Sequence, residues 1–269
     1  MSFARTYAVF LRQVYLFRGN PTRPASVFLW LVVDIIQWGF ISKYLSVIGH
    51  ARFDFLSAIL GAIILWGFVS RVQQGMMTSF LEDVWSQNFI NFFASPLKLG
   101  EYLSGLALTS IATGLTGFVL GVILAGAAFG FDVFKIGLYL IPFMAILLLF
   151  ALAMGVFISG VIFRLGPTAE WLGWPIPLVL SIFSGVYYPI ATLPTALRLF
   201  AQAIPTSYVF ESLRGLISTG TFSPDLSRNL VIGGGLALLY LAAAYLFFIR
   251  IYRHNLESGA IAKYSAESW

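Results

Sequence analysis

From Ile136 to Phe163 the chain runs without one charged residue. A helix needs roughly 20 largely apolar residues to cross the hydrocarbon of a bilayer, and this stretch exceeds that length. Five more stretches approach the same character: Ala25–Leu45, Phe55–Val72, Tyr102–Phe129, Leu172–Tyr188 and Leu230–Ile251. Backbone polar groups find no water in hydrocarbon, so each stretch is expected to close its own hydrogen bonds as a helix. The fifth is the weakest, because Pro175 and Pro177 interrupt its start.

Composition excludes a soluble core as the explanation. Hydrophobic residues make up 59% of the chain and charged residues 10%, whereas soluble domains carry about 25% charged residues. Mean hydropathy is +0.88. The net charge of +5 does not point to nucleic acid, since most Lys and Arg flank the apolar stretches as membrane topology requires. The chain has no cysteine, which removes disulfide frameworks and thiolate metal sites. His50 and His254 fall on opposite membrane sides in this topology, so no histidine metal site is expected. No Gly-Lys dipeptide occurs, so the chain carries no phosphate-binding loop of its own.

Six spans put both termini on one side. One set of segments holds Arg5, Arg12, Arg18, Arg23, Arg71, Lys98, Arg164, Arg250, Arg253 and Lys263; the other holds Lys43, Arg52, Lys135, Arg198, Arg214 and Arg228. The larger set faces the cytoplasm by the positive-inside rule, which makes both termini cytoplasmic. Ahead of the first span, Phe3, Tyr7, Phe10, Val14 and Phe17 recur at helical spacing with Arg5 and Arg12 off the stripe. This reads as an amphipathic helix in the cytoplasmic interface rather than a signal peptide; a helix packed on the bundle is the alternative. Asn20-Pro21 and Arg23-Pro24 are expected to break it from the first span. Gly117-x-x-x-Gly121 and Gly233-Gly234-Gly235 read as close helix packing within the chain.

Polar residues inside this frame stand out. Asp34 lies deep in the first span with Gln37 three residues on. An intramembrane carboxylate marks either a substrate path or subunit seam, or a buried acid satisfied by a neighbouring helix. Between spans two and three, Asp83, Gln87, Asn91 and Ser95 recur every four residues, opposite Leu81, Trp85, Phe89, Phe92 and Phe93. The spacing predicts an amphipathic cytoplasmic helix of about fourteen residues, ended by Pro96. Lys and Arg are absent from Phe80 to Leu97, which favours docking on a protein over lying on lipid headgroups.

The order of elements resembles the permease subunit of ABC-2 type exporters. The resemblance rests on the amphipathic entry, on "SQNFINFFASPLKLGEYLSG", and on "FSGVYYPIATLPTALRLFAQAIPTSYVFESLRGLI", and it covers essentially the whole chain. It implies an all-α membrane protein with one domain over residues 1–269. Residues 1–23 form the interface helix, 25–251 a bundle of six transmembrane helices, and 252–269 a cytoplasmic tail. A cytoplasmic coupling helix lies between spans two and three, and two short re-entrant helices lie between spans five and six.

The resemblance further implies a homodimeric permease in a cell membrane of the bacterial inner-membrane kind, driven by two copies of a separate ATPase. ATP and Mg would bind that partner, and this chain would hold no cofactor and perform no catalysis. By the same resemblance Glu82, Asp83, Gln87, Asn91 and Ser95 face the ATPase, while Trp85, Phe89 and Phe92 hold the helix to the membrane domain. Pro194 and Pro205 start the re-entrant helices, where a missing N–H costs nothing. Glu211 and Arg214 either pair with each other or contact substrate headgroups. Asp34, Gln37, Tyr187 and Tyr188 are the candidate path residues. Polysaccharide permeases of the family often read Asn-Pro where this chain reads Ile204-Pro205, which tilts the expected cargo towards a drug-like or lipid-like amphiphile, with a glycan as the alternative. Two more distant alternatives are a membrane-embedded enzyme, which would need ionisable residues clustered at one membrane face where the acids here are scattered, and an ion-coupled carrier, which would need a relay or partner cation beside the lone Asp34.

Overall fold

The computed structural model describes residues 2–19, 22–48, 54–219 and 225–258, and every regular element among them is helical. His50, Arg52, Lys263, the Asn20-Pro21 step and the tail past Ser258 lie outside the described residues. In chain order the α-helices are α1 (Phe3–Gly19), α2 (Thr22–Ile48), α3 (Asp54–Trp85), α4 (Phe89–Ala94), α5 (Leu99–Phe129), α6 (Leu140–Leu165), α7 (Pro175–Phe183), α8 (Thr195–Gln202), α9 (Pro205–Thr219) and α10 (Leu226–Glu257). Among the described residues, four stretches are long and apolar enough to cross a membrane: Ile59–Trp85, Leu99–Phe129, Val133–Leu165 and Leu226–Glu257. The helix α2 is comparable in length at 27 residues.

Three expectations change at this level. Arg23-Pro24 does not break the chain, because both sit in the first turn of α2, where proline's missing N–H has no intrahelical partner to lose. The second apolar stretch does not end near Val72; α3 continues to Trp85. Arg71 therefore lies midway along a membrane-length helix and leaves the count of flanking cations, though the charge excess keeps its direction. The fifth stretch is not one continuous helix. A 3₁₀ turn, Pro167–Leu172, precedes the nine-residue α7, whose rise of about 13.5 Å falls well short of the hydrocarbon. Pro175 opens α7, and Gly185, at φ 75°, turns the chain just beyond it.

The helix α3 is the hub, packing against α2, α5, α6 and α9, while α10 lies along α6. Close approach depends on glycine: a Cβ at Gly155 of α6 would lie 2.6 Å from Met76 Cβ, and one at Gly105 of α5 would lie 2.5 Å from Val9 Cβ of α1. Near the α1 end of the bundle, Phe80, Phe89, Phe163 and Phe248 join four elements in one aromatic core. Edge-to-face and tilted ring pairs of this kind contribute about 0.5–1.5 kcal/mol each. The helix α1 buries Thr6, Val9 and Gln13 and leaves Phe3 and Tyr7 exposed. The first part of its aromatic stripe thus stays on the surface, Phe10, Val14 and Phe17 are half-buried with Phe17 lining the cavity described below, and the opposite face packs on α5.

Candidate functional site

The segment joining α3 to α5 is two pieces with a turn between them. Residues Ser86–Asn88 form the turn, and Gln87 sits at φ 55°, in the left-handed region that costs a β-carbon-bearing residue roughly 1–2 kcal/mol. The expected fourteen-residue helix is thus replaced by the end of α3 and the six-residue α4. The turn resets the helical phase, so Asp83 does not share a face with Gln87, Asn91 and Ser95.

Asp83 points inward and its side chain is fully buried. Arg12 Nη2 of α1 lies 2.5 Å from Asp83 Oδ1, and Tyr102 Oη donates to Asp83 Oδ2 at 2.7 Å. The same Arg12 guanidinium stands 5.1 Å from the centre of the Phe92 ring. A second arginine of α1 grips the far end of the segment. Arg5 Nη1 donates to the Pro96 carbonyl at 2.6 Å and lies 3.6 Å from Glu101 Oε2. Glu101 caps the start of α5 by accepting from the Lys98 N–H at 3.0 Å, and it also accepts from the Ser2 N–H at 2.6 Å. These bonds fasten α1 to both ends of the α4 segment.

What remains outside is the amide tip: Gln87, Asn91 and Ser95 are exposed, and Asn91 Nδ2 donates to Asn88 Oδ1 at 3.2 Å. Phe89 anchors the segment from below at 3% exposure, but Trp85 is 60% exposed and does not. Two of the residues expected to divide between partner-facing and anchoring roles, Asp83 and Trp85, therefore occupy the reverse positions. Glu82 is half-buried and lines a cavity instead of the tip.

That cavity has a volume of about 730 Å³. One stripe of α3 forms its back wall, with Ile63, Trp66, Ser70, Gln74, Thr78, Glu82 and Trp85 at successive helical turns. The helix α2 supplies Trp30, Asp34 and Trp38, and the α7 region supplies Trp174, Leu178 and Tyr187. Trp38 and Tyr187 stack with ring centres 4.8 Å apart. Chain direction places Trp30, Trp85 and Trp174 towards the α1 end and Trp38, Trp66 and Tyr187 towards the other. Asp34 and Arg71 lie between the two aromatic layers and attract each other electrostatically. Arg71 is half-buried and donates from Nη1 to the Gly67 carbonyl at 3.1 Å. A Cβ at Gly117 of α5 would meet Arg71 Cδ at 2.5 Å, so this glycine makes the space in which the arginine lies. Asp34 by contrast stays exposed.

The sequence matches the family model described as ABC-2 type transporter over residues 5–217. The chain belongs to the ABC-2 type transporter family. No curated protein matches it significantly. It is the multi-pass membrane permease of an ABC transporter, a transport component.

In this ABC-2 permease the remaining candidates lie at the end of the bundle opposite α1. Pro194 immediately precedes α8 and Pro205 opens α9. Glu211 and Arg214 of α9 do not bond to each other; each holds one end of the loop after α7. Glu211 Oε1 accepts from the Ile190 N–H at 2.9 Å, and Arg214 Nη2 donates to the Gly185 carbonyl at 2.7 Å. Burial pushes the Arg214 guanidinium below its ordinary pKa, and nearby Glu211 pulls it back up. Tyr188 Oη donates to the Ile182 carbonyl at 2.8 Å and is not among the residues lining the cavity, nor is exposed Gln37. Sequence reasoning missed Arg71 and the tryptophans as site residues. The available signal was Arg71 recurring with Gly67, Gln74 and Thr78 on one helical face.

Proposed function

We propose that this permease, as a homodimer, forms the export path for an amphiphilic drug-like or lipid-like substrate, and that a separate ATPase drives it through the exposed tip of the α4 segment. The cavity along α3 carries this reading. Its wall from Ile63 to Trp85 rises about 33 Å at 1.5 Å per residue, close to the roughly 30 Å of bilayer hydrocarbon. Such a trough, with aromatic layers around a polar centre, suits a molecule with an apolar body and a polar group.

In the proposed arrangement α2 and the broken α7 segment join the four long stretches as a six-span set, with both termini in the cytoplasm of a bacterial inner membrane. The helix α1 lies in the cytoplasmic interface with Phe3 and Tyr7 towards lipid. The helices α8 and α9, of 8 and 15 residues, re-enter from outside without crossing. Gln87, Asn91 and Ser95 meet the ATPase, which supplies ATP and Mg chemistry that this chain lacks. Indole faces also stack on sugars, so a glycan is the runner-up cargo.

Reconstitution with the ATPase in proteoliposomes tests the reading. ATP-dependent movement of a fluorescent amphiphile, absent without the ATPase, is expected. Transport by the permease alone at an undiminished rate would overturn it. Stimulation of hydrolysis by a lipid-linked glycan, with no response to amphiphiles, would transfer the reading to the runner-up.

A further inference from the structure

The cavity is not neutral in what it presents. Among the described residues of its lining, Asp34 presents a carboxylate open to the cavity and Arg71 a guanidinium. The guanidinium is the less available charge, since Arg71 is half-buried, bonded to the Gly67 carbonyl and seated over Gly117. Asp34 is exposed at mid-height, in the same cavity wall as Trp30 and Trp38. Indole faces carry negative electrostatic potential and attract cations, most strongly when water is excluded. A carboxylate placed between layers of such faces attracts the same sign of ligand. Phosphate and carboxylate ligands meet the opposite field, with Arg71 the only Lys or Arg among the described residues of the lining.

We propose that the cavity selects amphiphiles bearing a permanent positive charge, of the quaternary ammonium or phosphonium class, with Asp34 as the counter-charge and the tryptophans as the apolar and cation-attracting walls. This rests on the export reading above for its cargo role, though binding itself does not. The stacked Trp38–Tyr187 pair closes the cavity wall on the side away from α1, so the apolar body packs there while the charge sits at Asp34.

Equilibrium dialysis of the detergent-solubilised full chain against tetraphenylphosphonium and tetraphenylborate tests it, because the two ions match in size and shape and differ in charge sign. Wild type is expected to bind the phosphonium at least about tenfold more tightly than the borate, equivalent to about 1.4 kcal/mol. Asp34→Asn is expected to lose about that factor for the phosphonium and little for the borate. Asp34→Glu retains the preference, and Trp38→Leu weakens both ions. Thermal unfolding of each variant separates lost binding from lost fold.

Equal or tighter borate binding by wild type, or an Asp34→Asn variant that folds and keeps its phosphonium affinity, overturns the proposal. With the ATPase present, ATP-driven export of a neutral amphiphile without preference for cations also overturns it, while the export reading stands. Asp34-dependent cation binding without ATP-driven movement leaves the site in place and removes the export reading.

Discussion

The Arg12–Asp83 pair offers the sharpest test of how the coupling segment is held. Asp83 is fully buried and Arg12 is 28% exposed, so the two partners should not be equivalent. Arg12→Met leaves a desolvated carboxylate with Tyr102 as its remaining hydrogen-bond donor. Stranding a buried charge in this way costs about 3–5 kcal/mol. Asp83→Asn keeps the side-chain shape and the Tyr102 contact, and the abandoned guanidinium still reaches solvent. Its cost is that of a hydrogen bond to a charged group, about 1.5–3 kcal/mol. The double variant Arg12→Met/Asp83→Leu removes both charges and should recover part of the larger loss.

Thermal unfolding followed by tryptophan fluorescence reads this directly. For a chain of this size about 3 kcal/mol corresponds to roughly 6–12 °C. The expected order is Arg12→Met lowest, the double variant intermediate or better, and Asp83→Asn nearest wild type. Equal small shifts for both single variants, combining additively in the double, would refute the buried-pair argument. Asp83→Arg is correspondingly a folding variant: it sets a second cation beside Arg12.

Asn91→Trp alters the exposed tip alone, so it is expected to weaken ATPase complex formation severalfold in co-purification with unchanged thermal stability. Gln87→Gly relieves the left-handed backbone at φ 55° and should leave stability equal or raise it by about 0.5–1 kcal/mol, whereas Gln87→Val should lower it by at least as much. Glu211→Ala frees the Ile190 N–H; hydrogen exchange at that amide should accelerate, with a stability loss of about 1.5–3 kcal/mol. Gly155→Val drives a side chain into Met76 of α3 and should cost about 1–3 kcal/mol or more in the same unfolding assay.

Where the chain avoids charge, its fold is plain from sequence, because hydrocarbon leaves the backbone of a stretch such as Leu140–Phe163 few options; the same charge-free run begins earlier, at Ile136, but Gly137 at φ 63° delays the α-helix to Leu140. The misreadings concentrate in "RVQQGMMTSFLEDVW", Arg71 to Trp85, whose polar residues look like an exit from the membrane. The helix continues because partners distant in sequence engage it: Gln73 Nε2 donates to the Gly173 carbonyl, Gln13 Nε2 to the backbone carbonyl of Ser79, and Arg12 pairs with Asp83. A helical wheel of one segment contains none of these partners. It also assumes unbroken phase, which the left-handed turn at Gln87 removes. The cavity was illegible for the same reason, since its tryptophans come from α2, α3 and the α7 region and meet only on folding. Spacing alone therefore could not separate Asp34 from Asp83, two acids in apolar helices. Their surroundings do: Asp83 has a partner on each oxygen and no exposure, which commits its charge to holding α1, while Asp34 stays open to the cavity, where a ligand can reach it.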